Sequence, residues 1–255
     1  MGYRKTTHRR IPFGRVARVL RHLHVQVRPV ATQTSGVMAW RMSLRATPVA
    51  LRALRPLLVR QERRRVARLR TAQERRRGTL SLALQRLLLG IALARGGAAL
   101  VIVRRRHGKP LLADARDRWL HFNASHSDDT LVVALGGPQA LGIDIEVRQH
   151  RQRRLPEQPP ARMLTVWERM HLQALDETER PRAFLQLWTR KEAAAKADGR
   201  GLALGFAALE AWGRNAVLRS SKYWRTRDLT LGRNCVGSLA IEARRPGSPT
   251  ETPPA

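Results

Sequence analysis

Two carboxylates stand two residues apart in LGIDIEV, at Asp144 and Glu146, and a third, Glu192, lies in WTRKEAAAK at residues 188–196. Side chains of a strand alternate faces, so in a strand over 141–147 Asp144 and Glu146 share one side. They are then about 7 Å apart along the strand, while Ile143 and Ile145 face a core. Two such carboxylates can share one divalent ion. Oxygen donors with no histidine or cysteine beside them favour Mg²⁺ over zinc. The competing reading is an edge strand with a solvated acidic face, and for the strand alone the two readings stand level.

WTRKEAAAK has helical spacing. Trp188, Glu192 and Lys196 are four apart and form one stripe, with Lys191 beside it. An exposed Glu–Lys pair is the plain alternative, worth about 0.3–0.5 kcal/mol. Against it stands the lysine count. Of 49 basic residues only five are lysine, at positions 5, 109, 191, 196 and 222. An ammonium is a compact three-donor cation that a guanidinium does not replace, so a lysine kept in an arginine-rich chain marks a site that needs that geometry. A third polar segment is HFNASHS, residues 121–127. With Asn123, Ser125, His126 and Ser127 it reads as a polar loop ahead of a strand, able to hold phosphate through hydroxyls, imidazole and backbone N–H groups, or else as a turn satisfying its own backbone. Lys109 sits in the tight turn HGKP, residues 107–110. Together these residues suit transfer chemistry on a phosphate-bearing cofactor. The chain carries neither a Gly-rich P-loop nor a dinucleotide fingerprint.

The elements that must position these residues follow from the pattern. VMAWRMSL from Val37 is a first strand, Pro48 to Arg86 is mostly helical, and Leu80, Leu84, Leu87, Leu88 and Ile91 recur at helical spacing on a buried helix ended by Gly96-Gly97. AALVIVRRR is a strand. TLVVALGG and ALGIDIEV are strands joined through Gly-Gly-Pro, expected as a hairpin. RQHRQRRLPEQPP is a polar loop. Residues 161–175 and 182–197 are helices, and SLAIEAR closes the fold as a strand. Organisation is expected as a basic extension at 1–36, a first subdomain at 37–118, a second at 119–245 with the metal site, and a disordered tail at 246–255. The extension carries seven arginines, one lysine and no acid. Three explanations stay open for it: a transit-like peptide, a disordered basic tail, or translation assigned from too early a start, with Met38 or Met42 the true one.

Composition narrows the partners. A formal charge of +30 attracts phosphate-bearing or acidic partners, although much of the arginine total reflects the bias of a GC-rich genome. One cysteine, Cys235, excludes an internal disulfide and a cysteine metal cluster and fits a reduced cytoplasmic setting. The longest apolar run, Leu80 to Val103, is broken by Arg86 and Arg95 and does not read as a membrane span. Aromatic content of 5%, without zinc-finger spacing, argues against a nucleic-acid-binding module, the main rival suggested by the charge.

GKP, then FNASHS, then GIDIE, then WTRKEAAAKADGRGL, in that order, resembles the 4′-phosphopantetheinyl transferases of the Sfp type. The resemblance is strong over 107–204 and weaker over 37–106, where ERRRVARLR and QERRRGTL resemble the family's arginine-rich helix pair. The holo-acyl-carrier-protein synthases share part of the pattern but are about half as long and trimeric. The resemblance implies an α+β fold of two similar subdomains related by a pseudo-twofold, a monomeric pseudo-dimer with coenzyme A in the cleft. It implies Asp144, Glu146 and Glu192 as Mg²⁺ ligands, Lys196 and His126 on the phosphates, and Lys109, Ser125 and Arg77 as further nucleotide contacts. On chemical grounds Glu192, a carboxylate beside the metal, is expected to take the serine proton directly or through water, and Lys191 to contact phosphate or orient Glu192. The implied reaction moves 4′-phosphopantetheine from coenzyme A to a serine of an acidic apo carrier protein and releases 3′,5′-ADP. The alternatives are the nucleic-acid-binding protein and an inactive carrier-binding relative.

Overall fold

The computed structural model describes residues 13–147, 163–213, 217–219 and 222–243. Ten strands and six α-helices are formed among them. Strands β1 (Val27–Val30), β2 (Val37–Ser43), β5 (His121–Ser127) and β6 (Thr130–Gly136) make one antiparallel sheet in the order β1-β2-β6-β5. Strands β7 (Leu141–Val147), β8 (Val217–Arg219), β9 (Tyr223–Asp228) and β10 (Cys235–Ala243) make a second, in the order β7-β10-β9-β8. A short hairpin of β3 (Ile102–Arg104) and β4 (Pro110–Leu112) stands apart, turning through the HGKP segment. The fold is thus mixed α+β.

Helices α1 (Phe13–His22), α2 (Pro48–Leu54), α3 (Arg60–Ala67) and α4 (Ala72–Leu93) belong to the first half. The sequence starts α4 with a reciprocal cap. Thr71 Oγ accepts from the Glu74 N–H at 3.1 Å, and Glu74 Oε2 accepts from the Thr71 N–H at 2.9 Å. Leu80, Leu84 and Leu88 then fall on its buried face. In the second half, α6 (Arg180–Asp198) packs on the second sheet and α5 (Val166–Ala174) packs against α6. Thr165 and Glu168 cap α5 in the same reciprocal way. Three apolar clusters result: one around α4 and the first sheet, one around α6, and one between the sheets, where Val132 and Ala134 meet Leu141, Ile143 and Leu239. No helix among the described residues is long and apolar enough to cross a membrane.

Several expectations change. Residues 13–36 are not an extension: Val16, Leu20, Val25 and Val30 are buried, and β1 pairs with β2 from Val27↔Met42 to Val30↔Ala39. The stripe Val16, Ala17, Leu20 was present in the sequence but was hidden by the arginines between. HFNASHS is strand β5 and not a loop; it pairs with β6 through the Asp128-Asp129 turn. TLVVALGG and ALGIDIEV are strands but not a hairpin, because β6 and β7 lie in different sheets. Sheet membership therefore changes between Gly136 and Leu141, not near 119. AALVIVRRR yields only the three-residue β3, since Gly97–Ala99 turns as a 3₁₀ helix. The expected loop over 148–160, the start of the helix expected from 161, the tail over 246–255 and residues 1–12 of the expected extension lie outside the described residues.

Candidate functional site

The alternation expected of GIDIE holds. Ile143 and Ile145 enter the core between the sheets, and Gly142, Asp144 and Glu146 face the other way, toward α6 and the cleft. Gly142 sets how near α6 comes. A Cβ there would lie 2.2 Å from the Ala193 carbonyl oxygen and 2.4 Å from the Ala197 nitrogen. The facing helix surface is Ala193 and Ala197, both buried. A bare strand position against an alanine face lets the two backbones touch, and Lys196 thereby reaches Asp144.

The floor of the site is a joint between two strand edges. The first sheet ends on β5 and the second on β7, and no main-chain ladder joins them. The outward N–H groups of β7 instead find side chains of β5. Asn123 Oδ1 accepts from the Ile143 N–H at 2.9 Å, Ser125 Oγ from that of Ile145 at 3.4 Å, and Ser127 Oγ from that of Val147 at 3.1 Å. Both strands have a two-residue period, so the pattern repeats in step. Each serine also donates to the carboxylate beside it: Ser125 Oγ to Asp144 Oδ1 at 2.8 Å and Ser127 Oγ to Glu146 Oε2 at 2.9 Å. FNASHS and GIDIE are thus two sides of one joint.

Lys196 Nζ donates to Asp144 Oδ1 at 2.6 Å and to Ser125 Oγ at 3.0 Å. The other Asp144 oxygen, Oδ2, is buried without a hydrogen-bond partner. Such an atom is costly unless something pairs with it. Glu192 is half-buried, and burial, followed by the charge of Asp144, pushes its carboxyl up to about 7, with Glu146 adding to this and Lys196 opposing it. An orphaned buried oxygen and mutually repelling carboxylates are what an oxygen-ligand cation would relieve, so the donor set fits Mg²⁺. As the side chains stand, no three His, Cys, Asp or Glu groups among the described residues converge as a metal cluster.

Above this floor, a cavity of about 680 Å³ runs between α4 and β5, and one of about 230 Å³ between the β3–β4 hairpin and α6 shares Arg104, Pro110, Asn123 and Ala124 with it. That is the scale of a nucleotide-sized ligand. His126 opens into it; the surrounding protein, with Lys196 and Arg77 near, pushes its pKa down. Arg77 lines the cavity while held by Asp129 at 2.7 Å. Arg65 and Arg104 line it too, with no ion pair between either and a carboxylate among the described residues. Burial, then the charge of Arg65, lowers the Arg104 pKa. Nothing in the sequence sets these two arginines apart; only the fold distinguishes them from their many neighbours.

Three of the expected site residues are placed differently from expectation. Lys191 does not reach the cleft. Its side chain is 1% exposed and its Nζ donates to Glu168 Oε2 at 2.5 Å and to the Met163 and Phe206 carbonyls, each at 2.9 Å. Glu168, 0% exposed, also accepts from the Ala211 N–H at 2.7 Å. Ser125 donates its hydroxyl hydrogen to Asp144, and its oxygen accepts from Lys196 and the Ile145 N–H. Lys109 lines the cleft with its stem, but its ammonium turns to the carbonyls of Leu141 and Ala197, and burial, then Arg105, pushes its pKa down to about 8. Glu146, His126 and Arg77 line the larger cavity and Lys196 lines the smaller; Asp144 is bonded to Lys196, and Glu192 lies near enough to Asp144, Lys196 and Glu146 to feel their charges.

The chain matches two family models in tandem: "4′-phosphopantetheinyl transferase, N-terminal" over residues 39–137 and "4′-phosphopantetheinyl transferase superfamily" over residues 140–228. The join between them falls where sheet membership changes. The chain is 28% identical to the 4′-phosphopantetheinyl transferase HetI of a Nostoc species over 231 residues, which is 88% of this chain and 95% of that protein. It is 34% identical to Sfp of Bacillus subtilis over 100 residues, 39% of this chain and 42% of that one. It is 33% identical to AcpT of Salmonella typhimurium over 100 residues, 38% and 49% of the respective lengths.

Proposed function

The chain belongs to the 4′-phosphopantetheinyl transferase superfamily, and on that premise we propose that it moves the 4′-phosphopantetheine arm of coenzyme A to a serine of an apo acyl or peptidyl carrier protein. The carrier hydroxyl oxygen forms a bond to the β-phosphorus. The bond from that phosphorus to the bridging oxygen breaks, and 3′,5′-ADP leaves with the electron pair. The observation that carries this reading is the orphaned Asp144 Oδ2 beside Lys196, at the floor of an arginine-rimmed cleft of nucleotide scale.

Asp144, Glu146 and Glu192 would hold Mg²⁺, which when bound neutralises charge on the pyrophosphate. The remaining work falls to the chain. Lys196 has three donors and spends two on Asp144 and Ser125; the third meets a phosphate oxygen. His126 donates to the charge that builds as the bond breaks. Arg77, Arg65 and Arg104 bind the outlying phosphate of the nucleotide, and Arg65 and Arg104 bring guanidinium groups not yet committed to a carboxylate. Glu192 takes the serine proton, directly or through water.

We read the two halves as related by a pseudo-twofold. Each holds a four-stranded antiparallel sheet and one long helix, α4 or α6. One chain then supplies both walls of the cleft, and a monomer is sufficient. A cytoplasmic setting fits a chain whose single cysteine is a buried free thiol. The carrier is an acidic helical protein, steered by the +30 surface. The test is to mix the protein with Mg²⁺, coenzyme A and each of several apo carriers from fatty-acid, polyketide and nonribosomal-peptide systems, then weigh the carriers. A phosphopantetheine mass gain is expected on at least one. No gain on any would sink the reading.

A further inference from the structure

A second cavity, of about 620 Å³, lies on the far side of Lys109 from the cleft. Its deep surface is apolar, formed by Leu112, Leu120, Phe122 and Trp224, all buried. Its rim is cationic. Arg105 and Arg118 are exposed there and pair with no carboxylate among the described residues. Two carboxylates also line it, but both are already in ion pairs: Asp198 with Arg200 at 2.6 Å and Glu242 with Lys222 at 2.5 Å. The balance at the mouth is therefore positive. The Lys109 side chain, held by the carbonyls of Leu141 and Ala197, forms the wall between this cavity and the cleft.

We infer that this rear cavity binds an organic anion with an apolar body, a carboxylate or sulfonate on an aliphatic or aromatic frame, separately from coenzyme A. Free phosphate would leave the apolar floor unused. A neutral hydrophobe would leave the arginines unanswered. The volume lies in the range of small-molecule sites, and the mixture of an apolar floor with a few convergent charges is what gives such sites both affinity and orientation. Besides burial, Arg105 lowers the pKa of Lys109 while Asp198 and Glu242 oppose it, and Lys109 lowers that of His121 while Glu242 opposes it. An anion at the mouth would relieve both.

The inference does not depend on the transferase reading, because Arg105 and Arg118 take no part in the proposed reaction. The test uses the full chain and the fluorescent probe 1-anilinonaphthalene-8-sulfonate. We expect saturable binding of one probe, displaced by decanoate and unaffected by saturating coenzyme A with Mg²⁺. In the double variant Arg105→Glu, Arg118→Glu, probe affinity falls about tenfold or more, while the melting temperature and coenzyme A binding stay as in the parent. Absence of saturable binding, equal affinity in the double variant, or complete displacement by coenzyme A would each overturn the inference. Carrier modification is read in a separate assay, so failure here and failure of the proposed reaction are told apart.

Discussion

Lys191 and Lys196 stand five residues apart on α6 and face opposite ways. Lys196 looks into the cleft, where its ammonium meets Asp144 and Ser125 with its side chain 29% exposed. Lys191 looks into the protein, where one carboxylate and two carbonyls take all three of its donors. The first is a charge left available for a ligand. The second is a charge fully used in tying α5 and the 206–211 segment to α6. Lysine scarcity flagged both alike, so rarity reports that a position needs an ammonium and not what the ammonium is for.

The largest test of this contrast is on the cleft side. Asp144→Ala or Lys196→Ala is expected to lower carrier modification by about 10²–10³-fold, with a cooperative melt retained; the check is a mass-resolved transfer rate beside calorimetry. Near-normal rates in both would mean the cleft face of α6 is not where the chemistry lies. The opposite pattern is expected on the inner face. Lys191→Met leaves the Glu168 carboxylate buried without its counter-ion and should cost about 3–5 kcal/mol of stability, read from denaturant unfolding. Adding Glu168→Gln should restore part of that loss. A full-stability Lys191→Met protein would break the comparison.

Smaller effects sharpen it. Ser127→Ala removes the acceptor of the Val147 N–H and should cost about 1 kcal/mol. Amide exchange at Val147 should speed up, and Mg²⁺ binding followed by calorimetry should weaken as Glu146 loses its donor. A pH-dependent effect concerns a third lysine touching α6. Folding lowers the Lys109 pKa from its ordinary 10.5 to about 8. Between those pH values the unfolded chain holds the proton and the folded one does not. Stability contributed at this position therefore rises with pH across about 8 to 10.5 and is flat below. The slope should be absent in Lys109→Met, measured as the difference between the two proteins.

What the sequence disclosed was the part governed by short periods. The strand at 141–147, the inward Ile143 and Ile145 and the stripe of Glu192 and Lys196 follow from periods of 2 and 3.6, and each is present. What it concealed was pairing. Nothing near Lys191 announces Glu168, which lies on another helix 23 positions earlier. Nothing in TLVVALGG says that its strand joins β2 and β5 rather than β7. HFNASHS looked like a loop because its polar residues are short. Their alternation, Asn123, Ser125, Ser127 against Phe122 and Ala124, was a strand's, but the surface they serve is another strand's edge, and that is visible only in three dimensions. Gly142 carried the same kind of message: its meaning depends on the alanine face that approaches it.

The β5–β7 joint has a consequence for how this protein can change over generations. A main-chain ladder accepts almost any residue and tolerates an added one as a bulge. Here the acceptors are side chains on alternate positions, so a one-residue insertion or deletion within β5 would present Phe122 or Ala124 to the amides of Ile143, Ile145 and Val147. The donors would lose their partners together, and Asp144 and Glu146 would lose their serines in the same step. The seam can therefore drift by substitution among short acceptors but cannot slide, and lengths between Asn123 and Ser127 and between Ile143 and Val147 should stay fixed in any descendant that keeps the cleft.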